Sequence, residues 1–349
     1  MADFLIYGAN GYTGELIARA AAARGLRPLL AGRNGETLAA LAHSLGLEHR
    51  VFALDKPDAV AEGIRGVPVV LHCAGPFAHT SRPMADACLR MGTHYLDITG
   101  EAAVFELLAA RSAEARAARV MLLPGAGFDV VPSDCLAAHL KRRLPSATRL
   151  ALGFQSQGRI SRGTATTMVE NLGSGGLVRR GGVLRRVHAA WKTREIDFGI
   201  GPTAAITIPW GDVSTAYHST GIPNIEVYTA APLSLRLAAR ASRYLGWLLG
   251  SSFVQKRLKR KVHAGPPGPT AEERHRGRSL LWGEVADQAG QKVVSRLRGP
   301  EGYSFTVLAA LAVVERVLRG QAPVGFQTPS TAYGADFVLE LEGVVREDE

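Results

Sequence analysis

Three glycines at the end of a short apolar run carry the clearest chemical meaning in this chain. Phe4 to Tyr7 is apolar, and Gly8, Gly11 and Gly14 follow, with Ala9, Asn10, Tyr12 and Thr13 between them. An alanine-rich stretch runs on to Gly25, and a second apolar run, Leu29 to Ala31, ends in Gly32-Arg33-Asn34. A pyrophosphate rests on a helix N-terminus only where backbone N–H groups can reach its oxygens. Side chains at 8 and 11 would block that approach, and one at 14 would hold the helix off the strand. In a strand–turn–helix–strand context the spacing predicts a dinucleotide site built from residues 8 to 14. An NAD site places an acid at the end of the second strand, for the ribose 2′-OH. Positions 31 to 34 carry no acid and one guanidinium, Arg33. Its paired donors match a phosphate, so the expected cofactor is NADP(H).

Reduction by a nicotinamide also raises the question of a proton. An iminium acceptor already carries one, whereas an enoyl or carbonyl acceptor needs a donor within hydrogen-bond reach. Candidates at later strand ends are Tyr95, Asp97, Glu101 and, first among them, Asp129, which follows Gly125-Ala126-Gly127-Phe128. Asp129 reads equally well as a turn or N-cap acid for the next helix. Tyr217 and His218, in TAYHSTGIPN, are candidates from further along the chain. Histidine is the side-chain type best suited to donate a proton near neutral pH, although a single histidine is more often a structural residue. Other chemistries lack their residues. None of the eight tyrosines has Lys four positions on, so the Tyr–Lys pair of short-chain dehydrogenases is absent. There is no G-x-S-x-G elbow and no H-E-x-x-H zinc motif, and Glu15 stands where a phosphate-loop lysine would follow Gly14.

The elements that must position these residues continue the opening pattern. His49 to Asp55 is expected as a third strand, with Asp55 at its end near the adenine position. Val67 to Gly75 is a nearly continuous apolar run, as a strand buried on both faces should be. It ends in Cys73, Ala74, Gly75, Pro76 and Phe77, a second place where backbone can approach a ligand. A helix from about Ser81 to Arg90, a fifth strand in THYLDITGE, a helix over roughly Ala102 to Ala118 and a sixth strand in VMLLPGAGFD follow. Strands alternating with helices imply a Rossmann-type, doubly wound parallel sheet. Its ligands lie outside the C-terminal strand ends. That rule collects Gly8 to Thr13, Arg33, Asp55, Cys73 to Phe77, Asp97 to Glu101 and Gly125 to Asp129 into one cleft. No metal site is expected.

From about Pro132 the texture changes to short aromatic-rich runs such as RLALGFQS, REIDFGI, AAITIPW and PNIEVYTAA. LLWGEVAD and KVVSRLRG should pair as a hairpin around Gln288-Ala289-Gly290. The expectation is a second α+β, mostly antiparallel domain for the substrate or for dimer formation, spanning 132–302 after a dinucleotide domain of 1–131. The glycine clusters at 173–176 and 181–182 lack a following Lys-Ser/Thr and are expected as flexible loops. Tyr303 to Gly320 forms a helix with an apolar stripe at Val307, Leu308, Leu311, Val314 and Leu318, expected to complete the first domain. A C-terminal segment, 321–349, follows.

With 349 residues, 46% hydrophobic and 21% charged, the chain is long enough for two ordinary globular domains. The first strand begins at Phe4, so no cleavable signal is expected. Three scattered cysteines, Cys73, Cys88 and Cys135, offer neither a disulfide framework nor a zinc pattern, which fits a reducing cytoplasmic compartment. The net charge of +10 would suggest nucleic acid. However, Pro232 to Thr270 holds eight Lys or Arg and no acid, so the remainder is close to neutral and no nucleic-acid partner is expected. Within it, 233–263 mixes Leu235, Leu245, Trp247, Leu248 and Phe253 with Arg236, Arg240, Arg243 and the cluster Lys256 to Lys261. Its longest uncharged run, Tyr244 to Gln255, is too short to span a bilayer. The segment fits peripheral contact with an anionic membrane or an acidic acyl-carrier partner, or else a solvated basic face or homodimer contact.

The motifs YGANGYTGELIA, LLAGRN, HCAGPFAHTSRPMADACLRMGTHYLDITGE and LPGAGFDVVPSD together resemble the saccharopine dehydrogenase-like oxidoreductases, in the branch that includes bacterial trans-acting enoyl reductases. SRGTATTMVENL, GPTAEERHRGRSLLWGEV and GFQTPSTAYGADFVLEL extend the likeness to nearly the full length. The resemblance implies an NADP-binding Rossmann domain completed by the late helix, with cofactor and small-molecule substrate in the strand-end loops. It further implies reduction of a C=N bond, as in amino-acid metabolism, or of an activated C=C bond in an acyl chain. The alternatives are a saccharopine-type amino-acid dehydrogenase, whose clamps for several carboxylates have no identifiable residues here, and a non-catalytic NADP-binding scaffold protein at a membrane.

Overall fold

In a computed structural model, which describes residues 2–156, 158–170, 175–234, 236–239 and 251–349, the chain divides into two compact units. Met1–Val131 and Tyr303–Ala332 form the first, and Pro132–Gly302 and Tyr333–Glu349 the second. Six strands of the first unit are β1 (Leu5–Tyr7), β2 (Leu29–Gly32), β3 (His49–Val51), β4 (Val69–His72), β5 (His94–Asp97) and β6 (Met121–Leu123). A two-residue strand, Gly325–Phe326, joins β6 at the edge. All pairings are parallel, in the order 325–326, β6, β5, β4, β1, β2, β3. β1, β2 and β4 are buried along their whole length, as expected of strands covered on both faces by crossover helices. The strand order reverses between β1 and β4, and ligands of open α/β sheets bind at such a switch point.

Helix α1 (Tyr12–Ala23) follows β1, α2 (Gly35–Leu45) follows β2, α3 (Pro57–Gly63) follows β3 and α4 (Phe77–Met91) follows β4. Several boundaries differ from the sequence expectation. β3 ends at Val51, so Asp55 lies beyond it on exposed chain. α4 starts at Phe77 rather than Ser81 and contains Pro83. The helix expected over Ala102 to Ala118 is two, Ala102–Ala109 and Ser112–Ala117. The break places the Ser112 hydroxyl where it accepts from the Phe326 N–H at 3.0 Å, tying the second piece to the edge strand. In the late helix, Gly302–Leu318, the buried face is Phe305, Thr306, Ala309, Ala310, Leu311, Val313, Val314 and Val317. Val307, Leu308 and Leu318 are only half-buried. The buried face shares Leu311 and Val314 with the expected stripe but is turned toward Phe305, Ala309, Ala310 and Val313.

In the second unit a sheet runs through β7 (Arg149–Ser156), β8 (Gly176–Arg180), β9 (Val183–Val187), β10 (Thr193–Asp197), β11 (Pro202–Thr207), β12 (Asn224–Ala230), β13 (Arg278–Ala286) and β14 (Lys292–Pro300), with a last strand at Val345–Asp348. β12 and β7 are parallel, and the other pairings are antiparallel. β13 and β14 form the hairpin expected around 288–290. The edge strand β10 folds over β7 and β13. Ile196 and Phe198 pack with Tyr228 and Trp282, and a Cβ on Gly153 would meet Ile196 at 3.1 Å. Arg194 reaches across to Glu284 at 3.1 Å and stacks on Trp282. On the other face of the sheet, a Cβ on Gly283 would press on Leu140 and Leu136 of the helix Val131–Arg143.

The glycine cluster at 181–182 is not a flexible loop. Gly181 and Gly182 have φ of +56° and +78° and form the two-residue turn of the β8–β9 hairpin. Two successive positive φ values are what such a turn requires, because they match the twist of the strands. Gly175 precedes β8 and Gly176 begins it, while Gly173 and Ser174 lie outside the described residues. So do Leu235 and 240–250 of the basic segment, including Arg240, Arg243, Leu245, Trp247 and Leu248. Replacing Gly182 with Val puts a β-branched residue at a positive φ, with its Cβ 3.3 Å from the Tyr217 hydroxyl. The expected outcome is a loss of about 1–3 kcal/mol in urea unfolding of the second unit, with NADPH affinity unchanged.

Candidate active site in the first unit

The turn after β1 is held by main-chain bonds on both sides. Gly8 and Ala9 N–H groups donate to Ala31 O at 2.8 and 3.2 Å, and Cys73 N–H donates to Tyr7 O at 2.7 Å. Gly8 has φ of +85°, and a Cβ there would lie 2.9 Å from Ala74 N. A Cβ on Gly14 would overlap the Gly8 carbonyl oxygen, and one on Gly11 would lie 3.2 Å from it. The three glycines therefore fit α1 against β1 and β4 where any side chain would separate them. No side chain caps α1 at Gly11, as an anion-binding helix start requires. The cradle fits a dinucleotide pyrophosphate.

Asn10 couples this turn to the next. Its Nδ2 donates to Thr37 Oγ1 at 2.8 Å, and Asn34, the N-cap of α2, accepts from Thr37 N at 3.2 Å. Asn34 and Thr37 thus brace the loop bearing Arg33, a role with no sequence signal beyond the N-cap pattern. Arg33 is exposed and has no hydrogen-bond or ion-pair partner among the described residues. Burial pushes the Tyr7 hydroxyl up to about 12, with the Arg33 charge opposing and the Asp55 charge reinforcing. Both charges therefore act at the same end of the sheet. Tyr12 meets Tyr303, the second residue of the late helix, edge to face at 5.1 Å.

Four carboxyl and imidazole groups at the later strand ends differ sharply in environment. Glu101 accepts from the N–H groups of Phe77 and Ala78 at 2.8 and 3.0 Å, so both its oxygens cap the start of α4. Thr80 closes the same loop by donating to Ala74 O at 2.7 Å. Asp97 is fully buried and accepts from Tyr95 Oη at 2.7 Å and from the N–H groups of Thr99 and Gly125, both at 2.9 Å. Burial pushes it up to about 6 against the pull of those donors. Burial, with the Asp97 charge, also raises Cys73. Tyr95, Asp97 and Glu101 therefore join strand ends to one another, leaving little freedom for proton transfer.

Asp129 stands apart. It is half-buried, its Oδ2 lies where a Cβ on Gly100 would be 2.8 Å away, and it takes no hydrogen bond from the described residues. Burial alone pushes it up to about 7. The loop that carries it is fixed to the late helix, where Phe128 N donates to Thr306 Oγ1 at 3.0 Å and the Phe128 ring meets Phe305 at 5.8 Å. Beneath the switch point lies a residue the sequence reading passed over. His72, at the end of β4, is fully buried among Tyr7, Phe77 and Tyr95, with neither ring nitrogen hydrogen-bonded. Burial pushes it down to about 3, so it is a neutral aromatic filler. Nothing in an apolar strand sequence could have revealed that.

Tyr217 and His218 lie in the second unit, on the helix Asp212–Thr220. Tyr217 supports the buried Arg179 guanidinium, 4.2 Å above its ring, and Arg179 in turn donates to Gly182 O at 2.7 Å. His218 is exposed, its ring 5.8 Å from that of Tyr217. Among the described residues no three His, Cys, Asp or Glu side chains gather as a metal site would need.

Residues 4–123 match the family model described as saccharopine dehydrogenase NADP binding domain. Trans-acting enoyl reductases of Mycobacterium leprae and Mycobacterium ulcerans are 36% and 31% identical over 41% and 48% of this chain. A saccharopine dehydrogenase-like oxidoreductase of Bos taurus is 26% identical over 40%. These alignments span 36%, 44% and 37% of the relatives' own lengths. The apo saccharopine dehydrogenase (L-Glu forming) of Saccharomyces cerevisiae superposes over all of both chains with a TM-score of 0.68 at 10% identity, a likeness of fold alone.

Two expectations follow from the geometry. Arg33→Ala should reduce NADPH affinity about tenfold or more while leaving NADH affinity in place, as read by titration of cofactor fluorescence. Equal wild-type affinities for the two would sink the assignment. Asp129 should also make stability depend on pH. Its folded pKa of about 7 exceeds the ordinary 3.8, so the native state binds more protons than the unfolded state across that window. Stability should therefore fall as pH rises from about 4 to 7. Asp129→Asn should remove that slope and gain roughly 1–3 kcal/mol in chemical unfolding at pH 8.

Proposed function

We propose that this chain, whose residues 4–123 are an NADP-binding domain of the saccharopine dehydrogenase type, is an NADP(H)-dependent oxidoreductase that reduces an activated C=C bond in a small or acyl-chain substrate. NADPH, when bound, supplies a hydride. The chain's own contributions are separable. The glycine cradle and the α1 N-terminus bind the pyrophosphate, Arg33 binds the 2′-phosphate, and the Cys73–Phe77 loop lies beside Gly8 at the switch point.

The observation that carries the reading is Asp129. Reduction of a polarised C=C bond leaves a carbanion-like carbon that must take a proton, and an efficient donor has a pKa near the working pH. A carboxyl pushed up to about 7 by burial, outside the hydrogen bonds that occupy Asp97 and Glu101, meets that need. An iminium acceptor would have no use for it, so the residue favours C=C over C=N. The names of the mycobacterial relatives support the same choice.

Stereospecifically labelled NADPH, offered with a panel of 2-enoyl thioesters and cyclic imines, should pass its label to the β-carbon of a saturated acyl product. Asp129→Asn should lower kcat on the order of a hundredfold with NADPH affinity retained. The wild-type rate should decline as pH rises through about 7, because the protonated carboxyl is the active form. Full activity in the variant would remove Asp129 from the mechanism. Tight NADPH binding with no label transfer to any acceptor would instead support a non-catalytic NADP-binding role.

A further inference from the structure

The helix Ser252–Ala264 of the second unit presents an exposed basic face. Phe253, Lys256, Arg257, Arg260 and Lys261 are all exposed. Their spacing, three and four residues apart, lines them along one side of the helix. Val254, Leu258 and Val262 are half-buried on the other side. There Lys259 pairs with Glu170 of the neighbouring helix Arg162–Glu170 at 2.6 Å, and Gln255 donates to Glu170 O at 3.3 Å. The inward cation is thus neutralised, while the four outward ones have no acid or hydrogen-bond partner among the described residues. No Asp or Glu occurs anywhere between Pro232 and Thr270. Phe253, at the N-terminal end of the row, is 74% exposed, and Met168, on the helix packed beside it, is 58% exposed.

We infer that this face docks the protein on an anionic lipid surface. Four cations in two helical turns, without a partner among the described residues, repel one another, so an external negative charge is their natural complement. The row runs along the outward side of one helix, and its exposed side chains are long, flexible cations. Lysine is depleted from protein interfaces, whose charged groups must be desolvated. A bilayer asks for no shape complementarity. It neutralises flexible cations at its headgroups and accepts an exposed aromatic and a methionine at the acyl boundary. No described helix is long and apolar enough to cross a membrane, so the contact is one of lying on the surface.

The test is co-sedimentation of the full chain with vesicles of phosphatidylcholine, alone or with about 30 mol% phosphatidylserine. Binding should appear only with the anionic lipid and be lost at high salt. The combined change of Lys256, Arg257, Arg260 and Lys261 to Gln should weaken it on the order of a hundredfold or more. Phe253→Ser should weaken it several-fold. Both variants should retain wild-type NADPH affinity, which reports an intact fold. Lys259→Gln, whose charge faces inward, should bind as the wild type does. Absence of wild-type sedimentation, or equal sedimentation of the fourfold variant, would overturn the proposal. So would salt-sensitive capture by an acidic acyl-carrier protein with no vesicle binding, which would assign the row to a protein partner.

Discussion

α1 can begin directly at the end of β1 only because Gly14 has no side chain to displace the Gly8 carbonyl. Most of the first unit's chemistry follows from that approach. With the helix seated, the Gly8–Thr13 turn is drawn over the sheet edge, and Gly8 comes within contact of Ala74 across the strand-order reversal. The same turn places Asn10 where it bonds Thr37 and so braces the loop of Arg33. A single methyl group at position 14 would therefore disturb pyrophosphate contact, cofactor discrimination and the β4 loop together. The cost of such overpacking is about 1–3 kcal/mol even where a core can adjust, and a backbone oxygen adjusts less readily than a side chain.

Three carboxylates at neighbouring strand ends illustrate how environment divides labour. Glu101 faces two helix N–H groups and works as a cap. Asp97 is saturated with three donors and ties the end of β5 to the loop after β6. Asp129 is half-buried without a donor, so desolvation is unopposed and its proton is held close to neutral pH. Residue type alone does not separate these roles. The rigidity provided by the first two is what allows the third to be positioned, since Ala126 N–H donates to Asp97 O in the loop that leads to Asp129. The late helix completes the arrangement by holding Phe128 through Thr306 and Phe305 and by setting Tyr303 against Tyr12.

The second unit follows another principle. Its sheet curls until the edge strand β10 covers β7 and β13, and glycines at 153 and 283 make room on opposite faces. Much of its buried polar chemistry is structural, as with Arg179 over Tyr217 and the Arg194–Glu284 pair. The outward face of Ser252–Ala264 gathers four cations that have no partner among the described residues.

The sequence by itself determined what depends on neighbours within a few residues. The glycine spacing, the guanidinium after the second strand, the alternation of strand and helix and the β13–β14 hairpin are local patterns, legible because turn geometry and helix starts are set by adjacent backbone. The tertiary structure decided whatever depends on distant partners. Glu101 became a cap through N–H groups more than twenty residues earlier in the chain. The late helix buried Phe305, Ala309, Ala310 and Val313 and left Val307 and Leu308 half-buried, because the surface it packs on, rather than its own apolar periodicity, selected the face. His72 and Asp129 owe their protonation states to burial, which arises from packing and is written in no local motif. The pair at 181–182 shows the boundary between the two. Its glycines were visible, but only strand pairing made them a tight hairpin turn.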